Sequence, residues 1–241
     1  VPNNGLCSYC SIKISLFHEY YNANIPVNYW NLKMPINLAL EKLDNKSQRI
    51  LAIETIRKIS KLPNYEPIES LLNHKLMEID KIYVESIGNV KNSYNNGLSY
   101  CLAGPHGTGK TLSVTSILKS IIQQKFTGLY TTLSDVVNVL TTATSEDKFL
   151  ARKELLEIDF LIIDEFDSRF IGTENAADLF GRTLENILRT RLQNKLPIIL
   201  VSNSPNPIET FHGPLKQSLE SLMNQVPLKV VIGQDYRKQL V

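Results

Sequence analysis

Eight consecutive residues, Gly104-Pro105-His106-Gly107-Thr108-Gly109-Lys110-Thr111, have the types and spacing of a phosphate cradle. They satisfy the pattern G-x-x-x-x-G-K-[ST] at every fixed position. Glycines let backbone N–H groups close around phosphate oxygens, and a helix N-terminus behind them adds positive potential. In such a loop Lys110 reaches the β- and γ-phosphates and Thr111 holds Mg²⁺. The implied ligands are therefore ATP and Mg²⁺.

A second group of chemical residues follows. Asp159-Phe-Leu-Ile-Ile-Asp164-Glu165 is an apolar run ending in two acids. Continuous apolarity suits a parallel strand covered on both faces. Asp164 at its end is a candidate for the Mg²⁺ shell, and Glu165 for polarising a water that attacks the γ-phosphate. A third run, Leu196-Pro-Ile-Ile-Leu-Val-Ser-Asn203, ends in a polar residue. Asn203 either orients the same water or belongs to an ordinary strand-to-loop turn.

These residues need elements that bring them together. From Leu98 onward, apolar runs alternate with helical patterns. Strands are predicted at 98–103, 127–131, 159–164, 197–202 and 228–232, and helices at 110–124, 134–142, 146–157, 174–194 and 214–224. Ser134 and Ser145 are expected as N-caps, each followed by an acid. Alternation of this kind predicts an α/β fold, a five-stranded parallel sheet with helices on both faces. Ligands of such sheets bind at the carboxyl ends of the strands, where Gly104, Asp164 and Asn203 fall. Upstream, 35–62 and 67–95 carry apolar residues at helical spacing, interrupted by Leu62-Pro-Asn-Tyr-Glu-Pro67. The expected organisation is an N-terminal segment over 1–34, a helical region over 35–96 and an ATPase core over 97–241.

Bulk properties set limits. The 241-residue chain has a net charge of +2, and Lys/Arg and Asp/Glu balance within 97–241, so any DNA contact must come from a local stripe rather than a general field. Lys148, Arg152 and Lys153 are the candidate stripe, or else an ordinary solvated helix face. No apolar run approaches the length of a membrane span, the N-terminus is too polar for a signal peptide, and three cysteines make no disulfide framework. A cytoplasmic location, bacterial or in a phage-infected host, is expected, with no membrane partner. The chain starts at Val1 rather than Met, so residues upstream are expected. Cys7-Ser-Tyr-Cys10 has the spacing of a zinc knuckle, with His18 as a third candidate ligand. Either further Zn²⁺ ligands lie upstream of Val1, or Cys7 and Cys10 are two free thiols.

The order of phosphate loop, strand-end Asp-Glu and Asn-ended strand resembles an AAA+ ATPase, and more finely the replicative-helicase loaders of the DnaC/DnaI type. Cys7-x-x-Cys10 with Tyr20-Tyr-Asn-Ala-Asn-Ile-Pro26-Val-Asn-Tyr-Trp30 resembles that family's knuckle and the segment after it. Gly97 to Thr111 resembles its first strand and Walker A, Asp159 to Glu165 its Walker B, Arg189 to Asn203 its sensor region, and Gly233-Gln-Asp-Tyr236-Arg237 its closing stretch. About Leu40 to Glu78 resembles nothing in the family and reads as an extra helical insertion.

The resemblance implies slow ATP hydrolysis in a ring or spiral oligomer, a hexamer in some members. It implies loading of a hexameric replicative helicase on single-stranded DNA, with Lys110, Glu165 and Asn203 catalytic and Arg191 and Arg237 near nucleotide. The family's trans-acting arginine has no counterpart in Gly213-Pro-Leu-Lys216-Gln-Ser-Leu-Glu-Ser-Leu222. Lys216, Arg191 or Arg237 is then the substitute. No lid domain is expected after Val241. Two other readings stand beside this one: a transposition helper ATPase of the IstB type, and an interaction protein held by nucleotide with little turnover.

Overall fold

The computed structural model describes residues 8–32, 34, 82–83, 86–87, 90–167 and 174–232. Cys7, the 35–62 stretch, most of 67–89 and Gly233 to Arg237 lie outside the described residues, and with them the insertion and the closing stretch.

Five strands form one parallel sheet in the order β2-β3-β4-β1-β5. They are β1 (Tyr100–Ala103), β2 (Gly128–Thr132), β3 (Phe160–Asp164), β4 (Ile198–Ser202) and β5 (Leu228–Val230). The connecting helices are α3 (Lys110–Gln123), α4 (Leu133–Thr142), α5 (Ser145–Glu157), α6 (Glu174–Gln193) and α7 (Gly213–Met223). Two more, α1 (Ser8–Asn22) and α2 (Val90–Asn95), precede the sheet. All residues of β1, β3 and β4 are buried, as their unbroken apolarity demands. Successive side chains alternate between two cores. Tyr100, Leu102, Phe160, Ile162, Ile199 and Val201 face α3 and the N-terminal segment. Cys101, Leu161, Ile163, Ile198 and Leu200 face α4 to α7.

The helix starts correct the expected caps. Thr132 caps α4 through a reciprocal box with Asp135, and Thr144 caps α5 by accepting from the Asp147 amide. A cap hydroxyl must reach the third amide of the helix, and a Thr-x-x-Asp spacing does this at both sites. Ser134 and Ser145 fall inside the first turns.

The N-terminal segment shares the first core. Tyr20, Ala23, Ile25 and Met34 are buried in it, and the Tyr130 amide at the sheet edge donates to the Ala23 carbonyl at 2.9 Å. Asn24, held at φ 55°, returns its side-chain amide to the Tyr130 carbonyl at 3.0 Å. Lys119 of α3 reaches across to the carbonyls of Tyr29 and Leu32 at 2.8 and 2.6 Å. Its ammonium has lost most of its water, and this desolvation lowers its pKa to about 8. The unfolded chain keeps that proton to about pH 10.4. Stability therefore rises with pH between those values, by about 1 kcal/mol over the first unit or so. Chemical denaturation of the protein and of Lys119→Met at pH 7 and pH 9 checks this, because only the parent should gain.

Candidate functional site

Strand order decides which loops meet. β4 lies between β1 and β3, with Ala103 paired to Ser202 and Ile163 to Leu200. The chain ends leaving these three strands are Gly104, Asn203 and Glu165, so the Gly104–Thr111 loop, the acidic pair and Asn203 emerge side by side. The structure brings together these three parts of the site read from the sequence.

The loop requires its glycines. Gly104 has φ 148°, and a Cβ there would lie 2.3 Å from the Val231 carbonyl oxygen, whose residue donates its own amide to Ala103 at 2.7 Å. Gly109 sits at φ 83° as the N-cap of α3, with open space where a Cβ would stand. Lys110 turns back under the loop. Its ammonium donates to the carbonyls of Gly104 and Pro105 at 2.8 and 2.6 Å, and to Thr108 Oγ1 at 3.4 Å. Because a trans peptide points its N–H opposite its C=O, the Pro105 contact aims the His106 amide away from Lys110. The loop is thereby an exposed turn of amides over a buried cation at a helix N-terminus, an arrangement suited to a phosphate chain.

Asp164 is 3% exposed and saturated with donors. Its Oδ2 accepts from Thr111 Oγ1 and from the Tyr130 hydroxyl, each at 2.9 Å, and its Oδ1 accepts from the Glu165 amide at 2.7 Å. Burial, and then the charge of Asp164, push the Tyr130 phenol well above its ordinary pKa, so it stays a donor. Thr111 and Asp164 fit Mg²⁺: both offer hard oxygens, which lie 2.9 Å apart beside the phosphate loop and would hold one small cation between them. Glu165 is exposed just past β3, in a left-handed backbone conformation at φ 53°. Strain of about 1–3 kcal/mol at such a position is common where a side chain must be aimed.

Arg191 is a correction. It is fully buried, and its guanidinium donates to the carbonyls of Leu155, Ile158, Asp159 and Pro197 at 2.8–3.1 Å. Those carbonyls precede β3 and β4, at the end of the sheet opposite the phosphate loop. Desolvation lowers its pKa to about 10, which leaves it charged at neutral pH. It ties the starts of these strands together, away from the phosphate loop. Lys216 is bonded to Glu209 at 2.7 Å, with Glu220 at 3.9 Å. Arg237 lies outside the described residues. Of the candidate stripe, the half-buried Lys148 donates to the Thr141 carbonyl, the exposed Arg152 donates to Asn186, and Lys153 is exposed. Among the described residues no His/Cys/Asp/Glu cluster could hold a metal ion; Cys10 lies in α1, while His18 contacts Asn22 at 3.2 Å.

Sequence reading missed Tyr130, whose aromatic side chain in an apolar strand signals packing alone. Its bond to Asp164 depends on a strand pairing that no local pattern encodes.

A parallel sheet of this order, with a phosphate loop after β1 and an acidic pair after β3, defines a P-loop protein of the AAA+ type. Residues 28–217 match the family described as IstB-like ATP binding protein. The chain belongs to that family. Its fold is similar to replication initiator DnaA bound to AMPPCP and single-stranded DNA, at 18% identity and TM-score 0.52, over 70% of this chain and 51% of that one. Domain III of DnaA from Thermotoga maritima matches at 18% identity and TM-score 0.51, covering 75% of this chain and 69% of its own. A putative primosome component from Streptococcus pyogenes serotype M3 matches at 15% identity and TM-score 0.50, covering 88% and 91%. The chain spans about half the length of the first of these. No curated protein matches it significantly.

Proposed function

We propose that this protein binds MgATP, hydrolyses it slowly, and uses that cycle to load or remodel a replicative DNA helicase on single-stranded DNA. The observation that carries the ATPase part is the convergence of Lys110, Thr111, Asp164, Glu165 and Asn203 on adjacent strand ends. Mg²⁺, held by Thr111 and Asp164, would neutralise phosphate charge. The chain's own residues do the rest. The loop amides and Lys110 bind the phosphates, Thr111 and Asp164 hold the cation, Glu165 orients water, and Asn203 senses the γ-phosphate.

The replication part is supported by the resemblance of Tyr20–Trp30 and of the strand-end motifs to helicase loaders. It is supported also by a fold shared with a DNA-bound initiator and a primosome component. Phe149 is 67% exposed on α5 beside Lys148, Arg152 and Lys153, which pairs a stacking ring with backbone-directed cations. Self-association into a ring or spiral would align such patches along one strand. A cytoplasmic setting is consistent with the absence, among the described residues, of any helix long and apolar enough to cross a membrane.

The test is a titration of labelled oligonucleotide with ATP, with ADP and at two salt concentrations, with Lys110→Ala as the control that lacks the phosphate contact. Single-stranded DNA should bind in ATP at least about tenfold more tightly than in ADP, and the affinity should fall steeply with salt. Equal affinity in both nucleotides sinks the loader reading. The family's IstB-like description favours one second reading, a transposition helper ATPase, and a preference for duplex over single strand would select it.

A further inference from the structure

We propose that Tyr130 is a positioning residue for the divalent cation, its hydroxyl fixing the carboxylate of Asp164 in the orientation that binds the metal. The inference rests on the MgATP reading above and assigns a role outside the phosphate loop and the acidic pair.

Three donors hold Asp164, and they are not equivalent. The Glu165 amide fixes Oδ1. Thr111 and Tyr130 share Oδ2 at equal distance, 2.9 Å. When one cation is held by both Thr111 Oγ1 and Asp164 Oδ2, the Thr111 proton must turn away from the metal and so away from Oδ2. The Tyr130 hydroxyl is then the side-chain donor that remains on Oδ2. A carboxylate held at both oxygens keeps its plane, whereas one held only at Oδ1 can swing about its bond to Cβ.

The phenol is itself well anchored. Its ring is 6% exposed within the core that includes Ile162 and Ile117. Tyr130 pairs with Ile162 while Asp164 pairs with Thr132, so the phenol crosses diagonally to a residue two places further along the neighbouring strand. Such diagonals lie within reach of a long aromatic side chain. On the other side of β2, Ala23 and Asn24 hold the Tyr130 amide and carbonyl. The segment before the ATPase core thus secures the residue that aims the metal ligand.

The experiment compares the full chain with Tyr130→Phe, which keeps ring and volume and removes one oxygen. Affinity for a fluorescent ATP analogue is measured in EDTA. Mn²⁺ is then titrated into the complex with a slowly hydrolysed ATP analogue and followed by electron paramagnetic resonance, and thermal melting is recorded for both proteins. The expected result is a Mn²⁺ affinity about tenfold weaker, the lower end of what partners of metal ligands usually contribute. Metal-free nucleotide affinity should stay within about twofold, and melting should be nearly unchanged. Equal or tighter Mn²⁺ binding by Tyr130→Phe overturns the proposal. Failure of Tyr130→Phe to fold also overturns it, since the hydroxyl would then serve the fold rather than the cation. A parent protein that binds no nucleotide removes the MgATP reading and this inference together, whereas normal nucleotide binding with unchanged Mn²⁺ affinity removes this inference alone.

Discussion

Glu165→Gln is expected to lower ATP turnover about 10²–10⁴-fold while leaving MgATP affinity within about threefold. Gln is nearly isosteric and tolerates the left-handed backbone at φ 53° no worse than Glu, so the strand end should stay in place. The Glu165 amide keeps its bond to Asp164, and the proposed metal site is untouched. What disappears is the carboxylate proposed to accept a proton from the attacking water. Single-turnover hydrolysis, measured beside equilibrium binding, separates the two effects. Hydrolysis at the parent rate would show that Glu165 is not the base.

Arg191→Ala is expected to destabilise the fold by about 3–5 kcal/mol without a specific effect on nucleotide affinity in whatever protein remains folded. One guanidinium serves four main-chain carbonyls from two separate stretches of chain, residues 155–159 leading from α5 into β3 and Pro197 just before β4. Alanine leaves those buried acceptors without their donor and opens a cavity. For a chain of this size the melting temperature should drop by about 10 °C or more. Arg191→Lys should recover only part of the loss, since an ammonium cannot span the fork of acceptors. A melting temperature within two degrees or so of the parent would contradict the structural role given to Arg191.

The phosphate loop could be read directly because its chemistry demands fixed residue types in one contiguous stretch. The strands were equally legible, since sheet faces covered on both sides leave uninterrupted apolar runs such as Phe160–Ile163 and Ile198–Val201. Positions set by tertiary packing were less accessible. Arg191 at the end of a long helix looks like any helix-end cation. Only the landing of the last turn of α6 behind the starts of β3 and β4 makes it a buried clamp. Tyr130 is an aromatic in an apolar strand until the β2–β3 register carries its hydroxyl to Asp164. The caps at Thr132 and Thr144 were displaced by one or two residues, because Ser and Thr neighbours offer several hydroxyls and only backbone geometry selects one.

The sole tryptophan of the chain, Trp30, packs against Phe17 with tilted rings 5.3 Å apart and donates its indole N–H to the Ile25 carbonyl at 2.7 Å. Its neighbours in sequence supply the carbonyls that receive Lys119, which lies on the same helix as Lys110 and Thr111. The protein therefore carries an optical gauge at the far end of a lever whose near end is the phosphate loop. Any displacement of α3 would change the polarity and quenching around one indole, so the emission of Trp30 is expected to report it in solution without a label.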